Sequence, residues 1–438
     1  MSGQSEWASS VVNLETRVYA HLPSSNILQR SPTDDEIETR EKHRKIFPGA
    51  DFTIATKEGK LYFVPSWHDL NRIRGDAKGV HYAKAIFEGG SFVPVTEREN
   101  STKVTHGNII LARPRNKRYR KSWQALGYDV ETEDFNQCIF DLAAVLGENV
   151  LKGPDGEIGR AYIRPAGVVI TEGTGVGSAA DDVIFNSVYI HYFPSYFPGR
   201  DERIYHGDGL NVTIFLDQQR LEPIVGKLAR NYPLVGDLTR RARELGDEEA
   251  VLLAPYGFNP ITGGHIRRFA QDGENALIEL LLYQYFSDGP GEGLIAVSAR
   301  NGRRELWYPP EFVNQLPSTT MAYICRYLAP DLGFKVIERP FGFYEIRKGL
   351  VDNIIMVGNA VGAAIIGNQR IIHPSKGEIE VISMPISEPA KLIRDAYADQ
   401  ISERTPPSNP SLLTRVDFNS PQVTRAREIL YNAWKLHF

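Results

Sequence analysis

Cysteine is nearly absent: Cys138 and Cys325 are the whole complement of a 438-residue chain. This excludes a disulfide framework and leaves no Cys/His spacing of the kind that holds zinc, so no metal site is expected. Long apolar runs are also missing. None approaches the ~18 residues of a membrane span, and the first thirty residues, with Glu6, Glu15, Arg17 and Arg30, carry no hydrophobic block of a secretory signal. Charge of one sign is scarce as well. Fifty Lys and Arg stand against 54 Asp and Glu, a net charge of -4, without the one-sided basic field that duplex nucleic acid requires. The expectation is a cytoplasmic protein that binds neither nucleic acid nor membrane. What is present, 42% hydrophobic and 24% charged residues, suits a globular chain large enough for two cores.

Residues 1–45 are polar, with the charged run Ser31-Pro32-Thr33-Asp34-Asp35-Glu36, and read as an arm without chemistry of its own. Short strands begin after Asp51, where Phe52 to Ala55 and Lys60 to Val64 flank Glu58-Gly59, a hairpin signal. Asn108 to Ala112 is a buried-strand run leading into a basic helix through Trp123. Arg113, at the strand end, is placed to reach back to a phosphate. Glu133 to Val150 sets Phe135, Ile139, Leu142, Leu146 and Val150 on one stripe, which predicts a helix. Pro194, Pro198, Gly199, Gly207 and Gly209 form a breaker-rich linker. In the second half, Tyr256 to Asp272 has no clear periodicity. Ser318 is a good N-cap for a helix whose Met321, Cys325, Leu328 and Leu332 share a face. Glu388 to Ile401 is the last core helix, and Val423 to Trp434 reads as part of an appended tail. The expected organisation is α/β (α+β): an arm over 1–45, a small α/β domain over 46–200, a linker over 201–210, a larger domain with a β-rich core over 211–403, and a tail over 404–438.

Lys227, in Gly226-Lys227-Leu228-Ala229-Arg230-Asn231-Tyr232, is the candidate nucleophile. A lysine that is partly buried or beside another cation loses its preference for the charged form, and a neutral amine condenses with an aldehyde. Taken alone, a lysine at a helix start is ordinarily a solvated surface residue, and His81, Tyr82 and Glu88 are ordinarily half-buried polar residues. The wider order of motifs changes that weighing. His81-Tyr82 with Phe87-Glu88-Gly89, Leu111-Ala112-Arg113-Pro114, Ala161-Tyr162-Ile163-Arg164-Pro165, Lys227 with Asn231-Tyr232, Leu316-Pro317-Ser318-Thr319-Thr320 and Met356-Val357-Gly358-Asn359-Ala360 follow one another along the chain. Over roughly residues 50–400 the chain resembles the branched-chain aminotransferase family, fold-type IV pyridoxal phosphate enzymes.

That resemblance implies a two-domain fold-type IV architecture and transfer of an amino group between an amino acid, branched-chain or other aliphatic, and a 2-oxo acid. It makes Lys227 the Schiff-base lysine for pyridoxal 5'-phosphate. Arg113, Tyr232, Glu274, Thr319, Thr320 and Asn359 become the cofactor residues, and Tyr82, Phe87, Tyr162, Arg164 and Ala360 the substrate residues. It also implies a homodimer. The chain departs from the family pattern at Ala229 and Arg230, where glycines are usual, at Thr319 and at Asn359. Two alignments are open for the carboxylate that faces the cofactor's ring nitrogen. One puts Gly263 there, and the other, treating Tyr256 to Asp272 as an insertion, puts Glu274. Other readings of the same fold are D-amino acid, chiral amine or carbon-carbon lyase chemistry, and a cofactor-free descendant that acts on a specialised metabolite or as a binding protein.

Overall fold

The computed structural model describes residues 52–57, 60–65, 77–97, 103–171, 181–220, 226–259, 264–267, 284–300 and 302–435. Two sheets organise them. The first takes β1 (Phe52–Lys57), β2 (Lys60–Pro65), β3 (Ala85–Phe87), β4 (Gly90–Thr96), β5 (Val104–Ile110), β6 (Ala161–Val169) and β7 (Ile184–Tyr192). The second takes β8 (Leu210–Gln219), β9 (Glu249–Asn259), β10 (Gly264–Arg267), β11 (Gln284–Phe286), β12 (Gly293–Arg300), β13 (Arg303–Tyr308), β14 (Lys335–Glu338), β15 (Asn353–Gly358), β16 (Gly362–His373) and β17 (Gly377–Ser383). Pairing in the first sheet is antiparallel throughout. The second is mixed, with β8 parallel to both β9 and β16, and β13 parallel to β14. Its central strands are apolar on both faces: β15 is buried at all six positions and β12 at its first six, as expected of strands covered on two sides.

The last strand, β18 (Leu413–Asp417), returns to the first sheet and pairs antiparallel with β5. The segment read from the sequence as an appended tail is therefore an integral part of this layer. The helix after it, Pro421–Lys435, buries Val423, Ala426 and Leu430, spaced three and four apart, in the first core. It packs there beside the helix Glu133–Leu146, whose Ile139, Leu142 and Leu146 are buried together with Val150, as the stripe predicts. Tyr256 to Asn259, expected to be irregular, continue β9 and pair with β10, where the ladder satisfies their backbone groups.

A third core joins the two layers. Ile110 and Leu111 from the end of β5 pack with Ile295, Val297, Tyr323, Leu328 and Tyr397. Leu111 itself adopts the left-handed conformation, φ 51°, which L residues rarely take. It makes the sharp turn from β5 into the helix Ala112–Ala125, and its N–H donates to Leu412 O at 2.7 Å. Tyr119 Oη and Trp123 Nε1 donate to Asn186 Oδ1 at 2.7 and 3.0 Å, which fixes this helix against β7. The Ser318 cap is present, its Oγ accepting from Met321 N at 3.2 Å.

Candidate active site

A cavity of about 440 Å³ opens where the two layers meet. Lys227 lies on its wall and is 7% exposed. Its backbone is pinned from the first layer: Lys227 N donates to Ser122 Oγ at 2.8 Å, its carbonyl accepts from Phe87 N at 3.2 Å, and Leu228 bridges to Ile86. The ammonium nitrogen sits 5.2 Å from the centre of the Phe87 ring and 5.9 Å from that of Tyr232. Those two rings touch at 4.6 Å. Burial, reinforced by the positive charge of Arg118, lowers the Lys227 pKa to about 7. Burial likewise pushes the Tyr232 hydroxyl up.

Thr319 and Thr320 open the helix after Ser318, and with Gly358, Asn359 and Ala360 they line the cavity. Ser91 Oγ donates to Asn359 O at 2.8 Å, and Arg115 Nη2 donates to Asn359 Oδ1. Arg115 is 5% exposed. Its Nε and Nη1, like Asn359 Nδ2, are buried without a hydrogen-bond partner among the described residues, an arrangement that is costly unless something accepts from them. Arg118 also lines the cavity. It donates to both carboxylate oxygens of Glu88 at 2.7 Å and to Pro317 O at 2.8 Å. Arg164 lies over Phe87 and Tyr162, with its guanidinium carbon 4.6 and 4.9 Å from the two ring centres.

The structure thus brings Lys227, Tyr232, Thr319, Thr320, Asn359, Phe87, Tyr162, Arg164 and Ala360 to one cavity. Arg113 and Tyr82 are not on its wall, and Glu274 lies outside the described residues, as does Gly263. The correction at Arg113 has a geometric cause. The helix begins at Ala112, so Arg113 falls in its first turn while Arg118 faces the cavity and Arg115 reaches Asn359. The spacing of Arg115, Arg118 and Ser122 along one helix face was a signal available in the sequence.

Sequence reasoning also missed the acidic side of the cavity. Glu292 is the acidic side chain on the wall among the described residues. Burial, together with the neighbouring Glu249 carboxylate, raises its pKa to about 8. Glu249 is itself fully buried and accepts from Tyr196 Oη at 3.0 Å and Thr239 Oγ1 at 2.6 Å. Asp288, in the same turn as Glu292, is paired with Arg220 at 2.9 Å and accepts from Leu316 N at 3.3 Å.

No sequence-family model and no curated protein matches this chain. Solved structures do. The branched-chain amino acid aminotransferase of Escherichia coli superposes with a TM-score of 0.59 at 20% identity, over 84% of this chain and 99% of that one. The chain shares the fold of the branched-chain aminotransferases. The enzyme of Thermoproteus uzoniensis, solved with norvaline, gives a TM-score of 0.59 at 16% identity over 83% and 99% of the two chains. That of Thermobaculum terrenum in its pyridoxal phosphate form gives 0.57 at 16% identity over 84% and 98%. The fold-type IV architecture implied by the sequence motifs is thereby established.

The Glu88 to Arg118 pair is buried, with 1% and 12% of the two side chains exposed. Removing one member of such a pair strands the other in low dielectric, which costs about 3 kcal/mol or more. Glu88→Gln is therefore expected to lower the free energy of unfolding by about that amount. Urea denaturation measures it, and a change below about 1 kcal/mol would mean that water takes the carboxylate's place.

Proposed function

We propose that this chain is a pyridoxal 5'-phosphate-dependent aminotransferase that moves an amino group between an aliphatic or branched-chain amino acid and a 2-oxo acid, with Lys227 as the attachment point. One observation carries the reading: a buried amine with a pKa near neutrality faces a cavity that Arg118, Thr319, Thr320 and Asn359 also line, with Asn359 Nδ2 buried and without a partner among the described residues. An aldehyde needs a neutral amine, and a phosphate needs cations and N–H groups, which Arg118, Asn359, Thr319 and Thr320 supply on the wall, with Arg115 bonded to the Asn359 side chain. The residues present fit the group. The neighbours in the fold include enzymes solved with pyridoxamine 5'-phosphate and with a phosphopyridoxyl-glutamate.

When bound, the cofactor supplies an aldehyde for covalent attachment and a ring that takes up the electron pair left at the substrate Cα. The protein's part is positional and electrostatic. Lys227 would be the attachment point, and its amine, neutral near pH 7, would take and return the Cα proton. Arg118, Thr319, Thr320 and Asn359 would hold the phosphate, and Tyr232 would bound the ring pocket. Phe87, Tyr162, Arg164 and Ala360 surround the substrate, with the Arg164 guanidinium available to a carboxylate. A ring-nitrogen carboxylate comes from Glu274 in the insertion alignment, while Glu292 is the described carboxyl group that reaches the cavity. A cytoplasmic homodimer completes the proposal.

The test is a half-reaction. Protein loaded with pyridoxal phosphate is mixed with L-leucine, L-valine, L-norvaline or L-glutamate, and the oxo acid released is quantified. Stoichiometric oxo acid, followed by consumption of an added 2-oxo acid by the aminated, cofactor-loaded protein, is expected. Cofactor binding without oxo acid from any donor would assign the fold to other chemistry.

A further inference from the structure

The helix Ala112–Ala125 touches three separate segments of the cavity wall from a single face. Arg115 donates to the side chain of Asn359, Arg118 donates to Pro317 O at 2.8 Å, and Ser122 Oγ accepts from Lys227 N at 2.8 Å. Positions 115, 118 and 122 are three and four residues apart, so they stack on one side of the helix. The adjoining positions Tyr119 and Trp123 bolt it to the first sheet through Asn186. The wall segments come from three loops remote in sequence, and the helix gives them a common reference.

Ser122 is the most constrained of the three contacts. It is completely buried, its hydroxyl donates to Arg118 O at 2.9 Å, and its remaining lone pairs are thereby turned toward the Lys227 N–H. The chain before the lysine comes so close that a Cβ on Gly226 would stand 2.7 Å from Ser122 Cα and 2.9 Å from its Oγ. Ordinary side chains do not pack at such distances, so Gly226 is required for the approach itself.

We propose that Ser122 is a positioning residue for Lys227: with Gly226 it sets the lysine backbone at a fixed height against the helix, and so delivers the amine to the buried place between Phe87 and Tyr232. The inference concerns how Lys227 is held and rests on the aminotransferase reading only for its purpose. Two predictions separate positioning from bulk stability. In Ser122→Ala the buried Lys227 N–H loses its acceptor, and in Gly226→Ala the lysine segment is pushed off the helix. In both, the amine gains access to water, and its protonation midpoint moves up toward that of a free lysine.

The experiment uses the full-length protein and three arms. The pH midpoint of Lys227 modification by pyridoxal phosphate and borohydride is measured by peptide mapping for wild type, Ser122→Ala and Gly226→Ala, with Tm recorded for each. The expected result is a midpoint raised by at least one pH unit in a folded variant, read as a roughly fivefold or greater slowing of modification at pH 7. A midpoint within half a unit of wild type, whatever the change in Tm, overturns the inference. Should Ser122→Ala not fold, Gly226→Ala carries the same test. Failure of wild-type Lys227 to react at all would instead strike the aminotransferase reading, so the two failures are told apart.

Discussion

On the proposed aminotransferase reading, Lys227→Ala is expected to abolish amino-group transfer, by on the order of 10⁴-fold or more, because one side chain would supply both the attachment and the proton carrier. The fold should survive. Lys227 makes its structural contacts through its backbone, to Ser122 and Phe87, and those persist in alanine. Removing an unpaired buried amine also spares a desolvation cost. The variant is therefore expected to match or exceed the wild-type Tm, while the visible or near-ultraviolet absorbance of the loaded protein disappears. Transfer activity within tenfold of wild type would place the chemistry on another residue.

The second large effect is on the amine itself. With the Lys227 pKa near 7 rather than 10.5, about half of it is neutral at pH 7, against roughly one part in 10³ for an ordinary lysine. Modification of Lys227 by an amine-selective acylating reagent at pH 7 should thus be about 10³-fold faster than that of a solvated lysine, with a midpoint near pH 7. The sign of the coupling to stability follows. The unfolded chain keeps this proton up to about pH 10.5 and the folded chain releases it near 7, so between those values the unfolded state binds more protons and stability rises with pH. Glu292 acts oppositely: its folded pKa near 8 exceeds 4.5, so its contribution falls as pH climbs through that window. Lys227→Ala should remove the rise above pH 8 and leave the fall below it, which denaturation at several pH values would read directly.

Much of the cavity was legible in the sequence because its parts are short local signals. A strand opening with Tyr162 and Arg164, a cap at Ser318 and a lysine before Asn231 and Tyr232 each carry their geometry within a few residues. Arg113 was misplaced because the strand-to-helix turn at Leu111, with its positive φ, is an event that an apolar leucine does not announce. Once the helix starts at Ala112, it is Arg115 and Arg118 that reach the site. The acidic wall was harder still. Glu292 and Glu249 come together only through β9 and the turn before β12, and Tyr196 from another loop completes them. No spacing in the sequence encodes such a meeting. The return of β18 to the first sheet was hidden for the same reason, since a partner some 300 residues upstream leaves no trace in a local pattern.

Reductive trapping reads out which lysine the cofactor attaches to. Purified protein is incubated with pyridoxal phosphate, reduced with borohydride, digested and mapped by mass spectrometry. A single phosphopyridoxyl group on Lys227 is expected, lost in Lys227→Ala and weakened by Arg118→Ala. Label scattered over exposed lysines, or label unaffected by Lys227→Ala, would contradict it.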